Sequence, residues 1–383
     1  MRVAIVGSRG YPSYYGGFET FVRRIAPALR DQGHEVTVYG RGGGLRFRSR
    51  VTDGIHCIQT PGIETKSLST LSHGLFASMH ASHRDYDVAL VVNVAHGFFL
   101  EQFQAAGIPT VVNVDGIEWL RGKWGALAKR TFRTGARLTA SRGSLLVADS
   151  RAVADIWEAE FGIRPRHVAY GADVVCENAQ DRVHEIGLEA GSYLLVVARL
   201  APENNIELFL DAVESLPARP PVVVVGSANY RCTTVRRLEA MSARGDVRWL
   251  GHVADQALLG QLWSNCRLYV HGHSAGGTNP ALLQALGFGA PTIALETEFN
   301  REVLAPFPSA LYPPDAEGLR DILARELCEP GSHATAVREG QSLVRTSFAW
   351  EDICARYERL LVEAAETVAA PVRLHALPAV EGG

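Results

Sequence analysis

The sequence is short of lysine, of paired cysteines and of long apolar runs. Lys66, Lys123 and Lys129 are its only lysines, so its basic charge is nearly all arginine. The formal net charge of -3 argues against general nucleic-acid binding. The six cysteines (Cys57, Cys176, Cys232, Cys266, Cys328 and Cys354) show no CxxC spacing, which speaks against a metal site or a disulfide framework. They read as reduced thiols, mostly core, of a cytoplasmic protein. No apolar run approaches the ~20 residues that span a bilayer. Met1-Arg2 leads straight into an apolar strand, so no signal peptide is expected. A GxGxxG fingerprint is missing too. The glycines after the first strand are Gly7, Gly10, Gly16 and Gly17, and the second strand ends in Gly40-Arg41 without an acid for a ribose. A dinucleotide site is poorly supported on that ground.

What is present is an ordinary balance: 47% hydrophobic and 21% charged residues over 383 positions, enough for two domains with sizeable cores. RVAIVG, a loop from Ser8 to Gly17, an amphipathic helix from about Phe18 to Gln32 and EVTVYG make a βαβ unit, the start of a doubly wound α/β sheet. Gly16-Gly17 before that helix either admits a phosphate or sugar closely or lets the helix pack tightly on the sheet. DVALVVNVAHGFFL and GIPTVVNVDGIEW read as two further buried strands. They end in Asn93 and His96, then in Asp115 and Glu118, at the edge where open α/β sheets hold ligands. Asp85-Tyr86-Asp87 matches the DxD pattern of metal-using sugar transferases, but it precedes its strand, at the opposite edge, and reads as a solvated turn.

From Trp119 to Ala148 the chain carries Arg121, Lys123, Lys129, Arg130, Arg133, Arg137 and Arg142 and no acid. A one-signed amphipathic helix of this kind is either a solvated face or a contact surface for anionic lipid. SLLVADS and YGAD close the first series, and a second βαβ series begins at SYLLVVAR. Its centre is HGHSAGGTNPALLQALGFGAP (His271 to Pro291): a strand, a glycine-rich turn, and a helix opening at Thr278-Asn279-Pro280. Free amides at such a helix start, backed by the positive end of the helix dipole, suit a phosphate.

Four stretches, GSRGYPSYYGGFETFVRRIAPALRDQGHEVTVYGR, NVDGIEWLRGKW, VARLAPENNIELFL and HGHSAGGTNPALLQALGFGAPTIALETEFNREVL, together resemble the retaining glycosyltransferases of the glycogen-synthase-like family four. The resemblance is nearest to the subgroup similar to bacterial rhamnosyltransferases of capsule and exopolysaccharide assembly. It implies a GT-B fold, two Rossmann-like doubly wound domains facing a central cleft. The expected division is 1–173 for the acceptor-side domain, 174–190 for a hinge, 191–349 for the nucleotide-sugar domain, 350–368 for a helix packing back on the first domain, and 369–383 for a disordered tail.

The resemblance also implies roles. Arg199 would pair with the donor diphosphate, helped by Gly276, Gly277, Thr278 and Asn279. Gly251, His252 and Val253 would line the nucleobase pocket. Gln284 sits where the family places a ribose-binding glutamate, and Asn204 where it places a lysine beside the diphosphate, a loss that Arg231 or Arg301 would offset. Gly16 and Gly17 would approach the donor across the cleft, and His96, Asp115 and Glu118 would orient the acceptor hydroxyl or the sugar. The family needs no metal or other cofactor. The implied partners are a nucleotide-sugar donor, a lipid-linked saccharide acceptor, and an anionic membrane surface met through Arg121, Lys123, Lys129, Arg130, Arg133 and Arg137 at the inner face of the membrane. Two alternatives stay open: a nucleotide-sugar binder without catalysis, suggested by Gln284, and a GT-B epimerase of UDP-sugars.

Overall fold

The computed structural model describes residues 1–14, 16–42, 44, 46–63, 69–122, 124–176, 179–228, 232–329 and 333–369. Apolar runs separated by amphipathic segments fold into two sheets. The first contains β1 (Arg2–Val6), β2 (Glu35–Arg41), β3 (Arg48–Thr52), β4 (Ile55–Thr60), β5 (Val88–Val92), β6 (Thr110–Asn113), β7 (Leu145–Ala148) and β8 (Arg166–His167). Their order is β3-β4-β2-β1-β5-β6-β7-β8, parallel except for the β3–β4 pair. The second contains β9 (Leu194–Val197), β10 (Val222–Val225), β11 (Arg248–Gly251), β12 (Leu268–His271), β13 (Thr292–Leu295) and β14 (Leu311–Tyr312), all parallel, in the order β11-β10-β9-β12-β13-β14. This is the doubly wound α/β architecture expected, once in each half.

Strand order reverses between β1 and β5 in the first sheet and between β9 and β12 in the second. Neighbouring crossovers leave in opposite directions there, which opens a crevice at the carboxyl ends. Gly7 leaves β1 at φ +111, and a Cβ on it would lie 2.2 Å from the Val92 carbonyl of β5. Glycine is what lets the loop after β1 cross the end of β5. Gly226 does the same after β10, where a Cβ would stand 1.8 Å from the Ala198 carbonyl.

Two elements depart from the sequence reading. The hairpin β3–β4 turns through Asp53 and Gly54, both at positive φ (51° and 74°), as a two-residue hairpin turn requires. The final strand of the first sheet is Arg166–His167 rather than YGAD; Ala172 instead bridges Ala349. The helix Trp350–Ala369 lies against the first sheet, where Trp350, Ile353, Tyr357 and Leu361 share a core with Val3, Ile5, Phe21 and Ile25. Each such fully buried side chain contributes roughly 1.5–3 kcal/mol. Asn113 at the end of β6 donates to the Tyr357 hydroxyl at 2.6 Å. Residues 370–383 of the expected tail lie outside the described residues.

Of the six cysteines, Cys57, Cys266 and Cys354 are buried, whereas Cys176 and Cys328 are exposed, so fewer are core than expected. Asp85 and Asp87 flank Arg2 at the amino end of the sheet, at 3.5 and 3.6 Å, far from the carboxyl edge. No helix among the described residues is long and apolar enough to cross a membrane.

Candidate active site

The turn after β12 leads into a helix, Pro280–Gly287, built as its sequence predicts. Asn279 is the N-cap, its side chain accepting from the Ala281 amide at 2.9 Å, and Pro280 takes the first helical position. Arg199, at the exit of β9, is exposed and makes no side-chain hydrogen bond or ion pair among the described residues. Its charge nevertheless reaches His273, whose pKa is held well below the usual value by burial first, then by Arg121, His271 and Arg199. Arg199 and the turn that holds His273 follow the carboxyl ends of the neighbouring parallel strands β9 and β12.

The amides were expected to face an open cleft. Instead, Gly276, Gly277 and Thr278 are buried against the first domain. A Cβ on Gly276 would lie 3.2 Å from the Gly116 Cα and 2.9 Å from Arg121 Nη2, and one on Gly277 would lie 1.6 Å from Asp149 Oδ1. Thr278 donates its hydroxyl to the Asp149 carbonyl at 2.6 Å. The two carboxyl edges meet directly, and glycine at 116, 276 and 277 removes the side chains that would hold them apart. Further along the seam, Glu302 accepts from the Arg151 amide at 2.9 and 2.8 Å. Gly17 also touches this seam, a Cβ there standing 3.4 Å from Pro280, whereas Gly16 is exposed as the N-cap of the helix Gly17–Asp31.

Asn204 stands at the expected place but its side chain serves the protein. Its amide donates to the Arg199 carbonyl at 2.7 Å, and its carbonyl lies 2.7 Å from His273 Nδ1. It braces the loop that carries Arg199. Arg301 pairs with Glu296 at 2.8 Å and so does not supply the compensating charge; Arg231 lies outside the described residues. Gly251, His252 and Val253 follow β11. Gly251 has φ +64 and accepts from the Gly226 amide at 2.7 Å, His252 is exposed, and Val253 is half-buried beside the second core. Gln284 is half-buried in the second turn of its helix and makes no side-chain hydrogen bond among the described residues.

The three acceptor-side candidates separate. Glu118 is buried and spent: its Oε1 lies 2.8 Å from Arg121 Nε, and its Oε2 accepts from Trp124 Nε1 at 2.6 Å. It positions Arg121 rather than orienting an acceptor hydroxyl. Asp115 is half-buried at φ +58, with its amide donating to Asn113 Oδ1 at 2.8 Å. It sits on the same loop as Arg121. His96 lies elsewhere, buried at a narrow recess of about 10 Å³ with Gly7, Ser8, Arg41, Thr60 and His73. Burial pushes its pKa down to about 4, helped by the charge of Arg41, against the hydrogen bonds of the Asn93 and Val92 carbonyls. The imidazole is neutral at pH 7.

Arg121 and Asp149 are the residues the sequence reading missed. Arg121 had been counted with the basic run, yet it is 8% exposed and enclosed by carboxylates. Burial works against its charge, but Glu118, Asp115, Glu203 and Asp149 outweigh that and raise its pKa. Asp149 Oδ1 is buried without a hydrogen-bond partner among the described residues. Its pKa climbs to about 7: burial raises it most, Asp115 adds to that, and the Thr278 amide and Arg121 offset only part. Glu118, three residues before Arg121, was the available signal. Among the described residues no three His, Cys, Asp or Glu are grouped to hold a metal ion.

The basic helix, Ala126–Arg142, also changes on inspection. Arg121 is buried, Arg133 pairs with Glu160, and Lys123 lies outside the described residues. Lys129, Arg130 and Arg137 remain toward solvent, and Leu120 and Leu127 beside them are 61% and 81% exposed.

Residues 16–171 match the glycosyl transferase 4-like domain and residues 181–340 the glycosyl transferases group 1 domain. A comparison with curated proteins finds no match. Among solved structures, a sucrose-phosphate synthase from Thermosynechococcus elongatus is similar over 96% of this chain and 100% of its own, at 16% identity and a TM-score of 0.82. Anabaena HepE in complex with UDP covers 95% and 100%, at 19% identity and 0.74. WaaG, a glycosyltransferase involved in lipopolysaccharide biosynthesis, covers 94% and 99%, at 15% identity and 0.71. At these identities the structures speak for the fold, and the two domain matches, consecutive and spanning most of the sequence, speak for the family. The chain belongs to the GT-B glycosyltransferases, with a family-four-like first domain and a group 1 second domain.

Proposed function

We propose that this glycosyltransferase moves a sugar, with retention, from a nucleotide-sugar donor to a lipid-linked saccharide in surface-polysaccharide assembly, with dTDP-rhamnose as the first donor to try. The observation that carries the donor site is Arg199, a cation without an ion-pair partner among the described residues, at the exit of β9, the strand beside the β12 that leads into the helix Pro280–Gly287. Fixed positive charge and aligned amides are what a departing nucleoside diphosphate requires. The acceptor oxygen forms its bond to the anomeric carbon as the bond from that carbon to the β-phosphate oxygen breaks. The electron pair passes to the diphosphate, and the acceptor proton follows to the same oxygen.

Because Gly116, Arg121 and Asp149 cover the Gly276–Thr278 amides, donor entry requires the two domains to part along this seam. The lipid-linked acceptor and a peripheral position at the membrane are supported by Leu120 and Leu127, exposed beside Lys129, Arg130 and Arg137. HepE is solved with UDP-glucose and WaaG acts in lipopolysaccharide biosynthesis, so UDP-glucose is the second donor to try. The test is release of nucleoside diphosphate from dTDP-rhamnose, UDP-glucose, ADP-glucose and GDP-mannose, with and without a lipid-linked saccharide. Release with one donor, stimulated by acceptor, is the expected result; a folded protein that releases none overturns it.

A further inference from the structure

We propose that Arg121 is a second cation for the donor diphosphate, carried to it by the first domain; this rests on the donor reading above. Among the described residues, Arg199 is the exposed arginine at the exit of β9, and the side chain of Asn204 beside it is spent on the Arg199 carbonyl and on His273. Arg121 stands on the other side of the same turn. Its Nη2 is 2.9 Å from where a Cβ of Gly276 would be, and 2.8 Å from that of Gly116. Gly276 immediately precedes the Gly277–Asn279 amides, so the guanidinium borders the proposed diphosphate seat.

The mount of Arg121 leaves its fork available. Glu118 Oε1 is 2.8 Å from Nε, but the N–H is not aimed at it, and that nitrogen has no hydrogen-bond acceptor among the described residues. Neither Nη nitrogen makes a hydrogen bond there. A guanidinium that served only to lock the loop would be expected to align its donors on its carboxylates. This one is nine-tenths buried, kept charged by four surrounding acids, and turned toward a glycine turn on the opposite domain. A planar fork in that place suits two oxygens of a phosphate. The cost of bringing a dianion near so many acids is lessened at Asp149, whose raised pKa of about 7 lets it take up a proton near neutral pH.

The experiment measures UDP, UMP, dTDP and dTMP binding by calorimetry in the intact protein, the Arg121→Gln variant and the Arg121→Lys variant, with thermal unfolding of each. The ratio of diphosphate to monophosphate affinity reports contact at the β-phosphate, which a merely structural arginine would not alter. The expected result is that Arg121→Gln lowers this ratio about tenfold or more, and that Arg121→Lys, keeping charge but losing the fork, lowers it by a smaller factor. If Arg121→Gln does not fold, the lysine variant decides. An unchanged ratio in a folded variant overturns the inference and leaves the donor reading intact. A wild-type protein that binds none of the four nucleotides overturns both.

Discussion

Thr278 of the second domain donates its hydroxyl to the Asp149 carbonyl of the first at 2.6 Å, next to a carboxylate pressed against Gly277. One hydrogen bond and one missing side chain thus bring the two halves together over the turn proposed to hold the donor. Gly277→Ala places a methyl 1.6 Å from Asp149 Oδ1, where no atom fits. The seam must open or the Asp149 loop must shift, at a cost of about 1–3 kcal/mol. Small-angle scattering should show a larger radius of gyration for the variant, and urea unfolding a lower midpoint. An unchanged radius and midpoint would contradict the contact.

On the proposed donor reading, Asp149 should make nucleotide binding depend on pH. Asp115, Arg121 and Tyr357 are the charged or titratable groups that feel its charge, and its pKa lies at about 7. A bound diphosphate favours the protonated carboxyl further, so binding takes up a proton, and affinity should fall as pH rises above 7, by up to about tenfold per unit. UDP dissociation constants between about pH 6 and pH 9 measure this, and Asp149→Asn should flatten the profile. For the fold itself the sign is the same. The native state keeps a proton that the unfolded chain gives up near pH 3.9, so this stabilisation is full below that pH and is lost as pH climbs toward 7.

Arg199→Gln separates binding chemistry from stability. The side chain is exposed and unpaired among the described residues, so unfolding should move by no more than about 0.5 kcal/mol. Donor kcat/KM should fall about 100-fold, the usual cost of removing one fixed donor from a developing oxyanion. Steady-state rates of diphosphate release against donor concentration provide the check, and a loss under threefold would remove Arg199 from the site.

Glu118→Gln tests the opposite case. Glu118 is 5% exposed and holds both Arg121 and Trp124. Neutralising it leaves a buried guanidinium with less compensation, at a cost of about 3 kcal/mol. Denaturant unfolding reads this directly. A variant as stable as the parent would return Glu118 to the list of groups free to meet substrate.

The membrane face is tested with Leu120→Ser combined with Leu127→Ser, and separately with Arg130→Ser combined with Arg137→Ser. Each pair should reduce co-sedimentation with vesicles containing anionic phospholipid, and salt should reduce it further for the parent. Equal sedimentation of the parent and both variants would identify this as solvated surface.

Local rules made much of the site legible. Asn279 and Pro280 announce the helix start that the structure shows, whereas Arg199 was singled out through the family resemblance rather than by a local rule. Arg121 could not be placed. In sequence it is one of seven cations in an acid-free stretch, and its one local signal, Glu118 three residues before it, marks a pair without telling whether the pair is buried. Glu118 was misassigned for the same reason, since its partner lies one turn on and the burial that makes the pair matter comes from the opposite domain. The hairpin at Asp53-Gly54 did carry a local signal, a DG pair between RSRVT and IHCIQT.

Apolar periodicity and turn chemistry alone determined two doubly wound sheets and the edge of each at which a ligand would sit, because both depend on residues within one short segment. The tertiary structure decided what faces what across the seam. It put Asp149 on Gly277, turned Arg121 toward Gly276 and withdrew His96 into its own recess. The first two contacts join residues more than a hundred positions apart, and the charge states of Arg121 and Asp149 follow from shared burial, which no local pattern encodes.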